Sequence, residues 1–502
     1  MSLSTALNIL NSAFVTNAAQ SAVISNNVTN ASTTGYNREI ANVVTNYSGG
    51  ASVVSVTREA NTALLEQVNT STSQASYQQA LSDGLTTLAN TVSDSSTATS
   101  TSGAQENGNS PSAMLANLQS ALETYDASPT NASAGQGVVT AAQDLASSLK
   151  TGAAAVYSVQ EQADSGMSSA VDTINTLLTQ FTSVNATIAS ETASGADISS
   201  AEDTRDNILT QLSQQIGIST VANPDGSTSI YTDSGATLFQ GGRASTLTFT
   251  PTATYVAGTT GQQVMVDGVA ITGSSSPMAI QSGALAGYAD LRDEVAPQYG
   301  AQLDQIADGL ISAFAESDQT GGSAPTAAGL FTAAGATDVP SDSASDASGL
   351  ASNIEVNPAV DPSQGGSVGL LRDGGINGTA YVSNTTGGAS YTGRIEDMIN
   401  ALTTAQPFDN SLAKLATSNS LTDYADSSVS WLQNQNQQAT NKLDYETSVV
   451  SQAKTALSNA TGVNLDTELT NMLSIENSYE TTSKLLTTAD AMFNALIQAM
   501  PS

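Results

Sequence analysis

A stripe with alternating spacings of four and three runs through the first 28 residues: Leu3, Leu7, Leu10, Phe14, Asn17, Ser21, Ile24 and Val28. That spacing puts all eight on one face of a helix. The far end of the chain repeats the alternation at Leu469, Met472, Tyr479, Thr482, Leu486, Ala489, Phe493, Leu496 and Met500. Between the ends, helical periodicity recurs over about 61–95, 112–125, 133–190, 200–216 and 282–316, and again from about 389 to 460 with a break near Pro407. Pro111 suits the first turn of its helix, where a missing N–H costs nothing. From Gly217 the period changes to two. "ISTVANPDGSTSIYTDSGATLFQGG" reads as strand, turn and strand, with Asp225-Gly226 and later Asp267-Gly268 as hairpin turns. The segment 317–390 is rich in Gly, Ser, Asp and Pro and reads as loop with short strands.

The pattern predicts a mainly α fold with an inserted β-module, in five parts. Residues 1–60 and 461–502 form an inner domain of paired, coiled-coil-like terminal helices. Residues 61–216 and 282–460, the latter with the loop-rich 317–390, form a helical domain. Residues 217–281 form an outer β-rich insertion.

Charge sharpens the question of what the terminal helices face. No Lys, Arg, Asp or Glu occurs from Met1 to Asn37, and Asp490 is the only charged residue between Leu485 and Ser502. A helix with one face in water normally carries charge on that face. These two are therefore expected to be covered on several sides, by each other and by copies from other chains. The six large apolar residues of the N-terminal stripe do not offset the entropy of ordering the helix that carries them. Residues 1–45 and 463–502 are thus expected to order fully only on assembly.

Composition narrows the chemistry. The chain has 502 residues, 45 Asp and Glu against 12 Lys and Arg, and a net charge of −33. So acidic a chain, without a basic cluster, is a poor partner for nucleic acid or an anionic membrane. It contains no Cys and no His, which removes thiolate nucleophiles, His bases and nearly all zinc chemistry. No basic residue precedes Arg38, and Asn, Ser and Thr interrupt every apolar run. Neither a cleaved signal peptide nor a transmembrane helix is expected, so export would proceed uncleaved by another route.

Two acidic clusters could carry chemistry. "AEDTRDN" holds Glu202, Asp203, Arg205 and Asp206, and "LRDE" holds Arg292, Asp293 and Glu294. Paired carboxylates can serve glycoside hydrolysis, but Glu202 and Arg205 at i, i+3 fit a helix ion pair better. The Asp-Gly pairs at Asp225, Asp267 and Asp373 lack the ligand spacing of a calcium loop. No P-loop or G-x-G-x-x-G is present, and Trp431, the only tryptophan, fits a helical interface. No cofactor or metal is expected.

Two motifs resemble the flagellar axial proteins of the rod–hook family. "ISNNVTNASTTGYNREI" supplies Asn26, Asn27, Asn30, Gly35, Tyr36 and Arg38, with Thr34 where many relatives carry Pro. "GVNLDTELTNMLSIENSYETTSKLLTTADAMFNAL" supplies the closing motif. The interior runs "DTRDNILTQLSQQIGI" and "GALAGYADLRDEVAPQYGAQLDQIADGLISAFAE" resemble the hook-associated branch of that family. The resemblance implies a structural subunit of the bacterial flagellum, outside the cell, joining hook to filament through coaxial packing of its terminal helices. It implies a homo-oligomeric ring, the hook protein, a second junction protein on the filament side, and an export apparatus with its chaperone as partners. The assembly interface would consist of Leu3, Leu7, Leu10, Phe14, Ile24, Val28, Leu469, Met472, Tyr479, Leu486, Phe493 and Leu496, with the motif residues Asn26, Asn27, Asn30, Gly35, Tyr36 and Arg38. A hook subunit is the alternative within the class. A secreted carboxylate-dependent hydrolase is the alternative outside it.

Overall fold

In the computed structural model, which describes residues 3–47, 49–93, 108–340 and 347–499, one helix organises the body of the protein. This is α4, Ala132–Ser194, whose 63 residues span roughly 95 Å at the standard rise. Asn131 caps it by accepting from Ser133 N and Ala134 N, and Gly195 ends it in the left-handed conformation that a residue without Cβ adopts freely. Its first half, Val138 to Ala163, buries its apolar face against α3 (Pro111–Asp126) and α7 (Ala296–Ala313). The helices α2 (Thr62–Ala89) and Leu421–Thr461, which pack along each other, complete that core. Pro111 stands at the start of α3 behind the Ser110 cap, as the sequence suggests. Trp431 packs against the same core.

The second half of α4, Met167 to Phe181, holds a different core. There it meets α5 (Ser199–Gln215), α6 (Ala284–Asp290) and the β-module. The module is a four-stranded antiparallel sheet, β3 to β6 between Ile218 and Ala244, and a three-stranded one, β7 to β9 between Leu247 and Ala270. Asp225-Gly226 and Asp267-Gly268 form its turns, with φ of 80° at Gly226 and 47° at Asp267. Ile230, Leu238, Phe239, Leu247, Val264, Val266 and Ile271 interleave with helix side chains, and Phe239 meets Phe181 edge-on at 5.0 Å. The strands therefore share a core with the helices they interrupt.

The period of two also holds in a stretch the helical reading passes over. Residues 39–58 form an antiparallel hairpin, β1 (Glu39–Thr45) with β2 (Ala51–Arg58), and not part of a terminal helix. α1 spans Leu3–Asn30 and packs on this hairpin and on the closing helix Leu465–Ala499. The loop-rich segment contains a short two-stranded sheet, Phe331–Ala333 with Ile354–Val356, and several single-turn helices. No described helix is long and apolar enough to cross a membrane.

One buried acid gives the body a pH signature. Asp304 on α7 accepts the N–H groups of Gly349 and Ala351 at 2.8 and 2.9 Å. Burial nevertheless outweighs these bonds and pushes its carboxyl up to about 6. An acid whose folded pKa exceeds its unfolded value of about 4 contributes stability that is present at low pH and lost as pH rises through the folded value. Between about pH 4 and pH 6, ionising Asp304 is expected to cost on the order of 3 kcal/mol. Denaturant unfolding at several pH values, with Asp304→Asn as reference, checks this. The difference in stability between the two proteins should change across that window and be flat above it.

Candidate assembly interface and its joint to the body

α1 uses two faces at once. The stripe face meets the closing helix: Phe14 lies edge-on to Tyr479 with ring centres 4.9 Å apart, and Asn17 Nδ2 donates to Ser478 Oγ at 3.1 Å. A second face, offset around the helix, meets the hairpin. Thr16 Oγ1 donates to Ala51 O at 2.8 Å. Asn27 Nδ2 donates to Glu39 O and its Oδ1 accepts from Glu39 N, both at 2.9 Å, as a strand neighbour would. Tyr36 Oη donates to the same oxygen at 2.9 Å. Buried Thr16, Val23 and Asn27 follow a helical spacing that belongs to this second face. Because two of the three are polar, the apolar pattern gives no sign of them.

Elsewhere on α1, Asn11, Val15, Ala18, Ala22 and Ser25 are exposed, and the helix carries no charge. Of the stripe, Ile24 and Asn17 are buried, Leu3, Leu7, Leu10, Phe14 and Ser21 are half-buried, and Val28 is exposed. Among the described side chains of the closing helix, Glu468, Thr482 and Ala489 are buried, and Leu486 is half-buried. Leu469 (53% exposed), Leu473 (60%), Met492 (59%) and Phe493 (47%) are exposed, as are Met472, Leu485, Ile497 and part of Tyr479. The side chain of Leu496 lies outside the described residues, as does Met500. A single chain therefore leaves an extended apolar surface on its terminal helices, of the kind that marks an interaction site.

The motif residues build the joint between this pair and the body. Asn30 Nδ2 donates to Asn26 O at 3.1 Å and Asn30 O accepts from Thr33 N at 2.8 Å, closing the end of α1. Asn26 itself is exposed. Gly35 follows with φ of 80°, and a Cβ there would overlap the side-chain amide of Asn207 on α5. Asn37 binds α5 through its backbone N (3.1 Å) and its Nδ2 (2.7 Å), both donating to Asp203. Arg38 Nε donates to the buried Glu468 at 2.6 Å and Nη1 reaches Glu59 at 3.4 Å. Across the hairpin base, Arg58 forks into Glu202 (2.9 Å), Asp203 (2.8 Å) and Asp206 (2.6 Å). Burial opposes its charge, but Asp206 and Glu202 outweigh that and hold the guanidinium above its usual range. Burial, then Asp197 and Asp203, push the nearby Glu39 carboxyl up.

The carboxylates of "AEDTRDN" are thus engaged. Arg205 pairs with Glu202 at 3.6 Å and Asp206 at 3.2 Å, beside Arg58. In "LRDE", Arg292 is buried between Asp164 and Asp293, each at 2.7 Å. Of the Asp-Gly turns, Asp225 accepts from Ser227 N, Asp267 from Thr246 N, and Asp373 pairs with Arg372. Among the described residues, no group of three or more carboxylates is placed to hold a metal ion.

Gly35 gives a direct check of the joint. Gly35→Ala is expected to cost about 1–2 kcal/mol for the left-handed backbone alone, plus the overlap with Asn207. Thermal unfolding should show Asn207→Ala restoring part of the loss, the overlap, and leaving the backbone cost.

Paired terminal helices, jointed to a helical body through an Asn-rich turn and a Gly-Tyr-x-Arg segment, are the arrangement expected of a flagellar axial protein. A family model described as the flagellar hook-associated protein FlgK helical domain matches residues 101–330, running straight through the β-module. A second, described as the flagellar basal body rod FlgEFG protein C-terminal, matches residues 456–499. The chain is thus similar to flagellar hook-associated proteins across its helical body and β-module, and to flagellar rod proteins along its closing helix. The flagellar hook-associated protein 1 of Escherichia coli strain K12 and that of Salmonella typhimurium strain LT2 are each 25% identical over 311 residues. Those residues are 59% of this chain and 54% of each relative, so the match spans about half the relatives' length. The flagellar hook junction protein FlgK of Burkholderia pseudomallei is 22% identical, with a TM-score of 0.40 over 53% of this chain and 46% of that one.

Proposed function

We propose that this chain is a structural subunit that joins the flagellar hook to the filament, assembling as a ring of copies through its terminal helices. Its neighbours would be the hook protein on one side and a second junction protein on the other, and it would reach that site outside the cell through the flagellar export apparatus with a chaperone. The observation that carries the reading is the surface of the terminal pair. α1 is uncharged throughout, and the closing helix exposes Leu469, Leu473, Met492 and Phe493 to water in a single chain. A surface of this kind is at its lowest free energy against another neutral protein surface. Most of the acidic charge lies outside the terminal pair and keeps the unassembled subunit soluble. Electron microscopy of flagella from a strain lacking the gene tests the role. Hooks without attached filaments are the expected result, whereas cells without hooks would identify a hook subunit.

A further inference from the structure

We infer that Arg58 and the acidic face of α5 form a latch that sets the angle between the terminal pair and the helical body. The chain passes between these two parts at Glu59–Asn61, ahead of α2, and at Gly462–Asn464, ahead of the closing helix. The two crossings lie side by side: Arg38 N donates to Thr461 O at 2.8 Å, and Glu59 N donates to Arg38 O at 2.8 Å. Two short adjacent segments that carry the whole covalent connection make a hinge line.

Away from that line, the hairpin base reaches across to the body at α5. Arg58 is the anchor, with its side chain 5% exposed and three carboxylates within 2.9 Å. Asn37 on Asp203 and Gly35 against Asn207 close the same contact. The local charge balance of the latch depends on Arg58. Asp203 on α5 and Asp197 just before it act on Glu39 at the hairpin base, Glu202 and Asp206 share Arg58 with Asp203, and Arg205 and Arg58 are the cations among them. Without Arg58 the carboxylates meet Glu39 with Arg205 as their remaining partner, and the attraction between the two parts turns to repulsion. The counterpart on the other side, Arg38 with Glu468, stays within the terminal pair and keeps the hairpin on the closing helix. Arg58 therefore positions the pair and does not hold it together. The inference is independent of the proposed place in the flagellum.

The chain has no cysteine, so introduced Cys residues take spin labels without background. Labels at the exposed positions Ser474 and Ser190 report the distance between the closing helix and α4; labels at Ser25 and Ser474 report the terminal pair itself. With Arg58 present, both distances are expected to be single and narrow. Arg58→Ala should shift and broaden the first and leave the second, and the helical circular dichroism, unchanged. Arg58→Lys, with a point charge in place of a fork, should give an intermediate distribution, and Asn37→Ala a smaller shift. An unchanged first distance in Arg58→Ala overturns the latch. So does broadening of the second distance or loss of helical signal, because Arg58 would then hold the fold itself.

Discussion

Arg292→Ala is expected to destabilise the protein by about 3–5 kcal/mol, the largest effect of a single substitution in the body. Arg292 sits in a π-helical turn, Leu291–Val295, between α6 and α7, and is 1% exposed. Its guanidinium binds Asp164 on α4 at 2.7 Å and grips both oxygens of Asp293, while Gln160 Nε2 donates to its carbonyl at 3.2 Å. The other oxygen of Asp164 accepts Thr252 N from the β-module at 2.6 Å, and Gly261 packs directly on the guanidinium. Arg292 thus binds α4, the turn and the β-module at one point, where the two cores meet. Truncation leaves the Asp164 carboxylate buried without its cation, and that uncompensated charge dominates the cost. Adding Asp164→Asn removes the charge and keeps an acceptor for Thr252 N, so the double variant with Arg292→Met should recover most of the loss. Denaturant unfolding of the three proteins measures this, and a loss below about 1 kcal/mol for Arg292→Ala would contradict it.

The second large effect concerns assembly and not folding. Phe493 stands on the outer face of the closing helix, 47% exposed in the single chain. Phe493→Asp changes little there while the face is in water. In an assembly that covers this face, it buries an unpaired carboxylate at a cost of several kcal/mol per subunit. Every copy carries the change, so the cost recurs at each contact. A soluble, folded monomer that fails to incorporate into flagella is the expected result; normal motility would show that this face is not covered.

Helix positions were readable because each has local causes, periodicity above all and the Pro111 start for one of them. The Asp-Gly turns were readable for the same reason. The hairpin was not. A bulge between Asn42 and Val43 disrupts its alternation, so Val43 and Val44, and Val53 and Val54, stand as apolar pairs. The joint was half legible. Asn27, Gly35 and Arg38 stand within one motif, but Arg58 meets Glu202 across 144 residues of sequence, and no local pattern encodes that meeting. "AEDTRDN" showed its internal ion pair, not the arginine it receives. The shared core of strands and α4 was likewise invisible, since a change of period marks strands without saying what they pack against.

The joint also redraws which parts of the terminal helices await assembly. Asn27, Asn37 and Arg38 hold residues near 24–45 and the start of the closing helix by hydrogen bonds to their neighbours. Beyond Ile9 and Ser12, which lie against the hairpin at Gly49 and Gly50, the distal ends have each other and water, with Leu485, Met492, Phe493 and Ile497 exposed. Amide hydrogen exchange on the monomer and on the flagellar assembly tests the central claim, that these helices complete their burial against other copies. In the monomer, residues 3–13 and 486–499 should exchange near the unfolded rate while α4 and residues 24–45 are protected, and assembly should slow the distal ends by orders of magnitude. Protection of residues 3–13 in the monomer equal to that of α4, unchanged on assembly, would contradict the account.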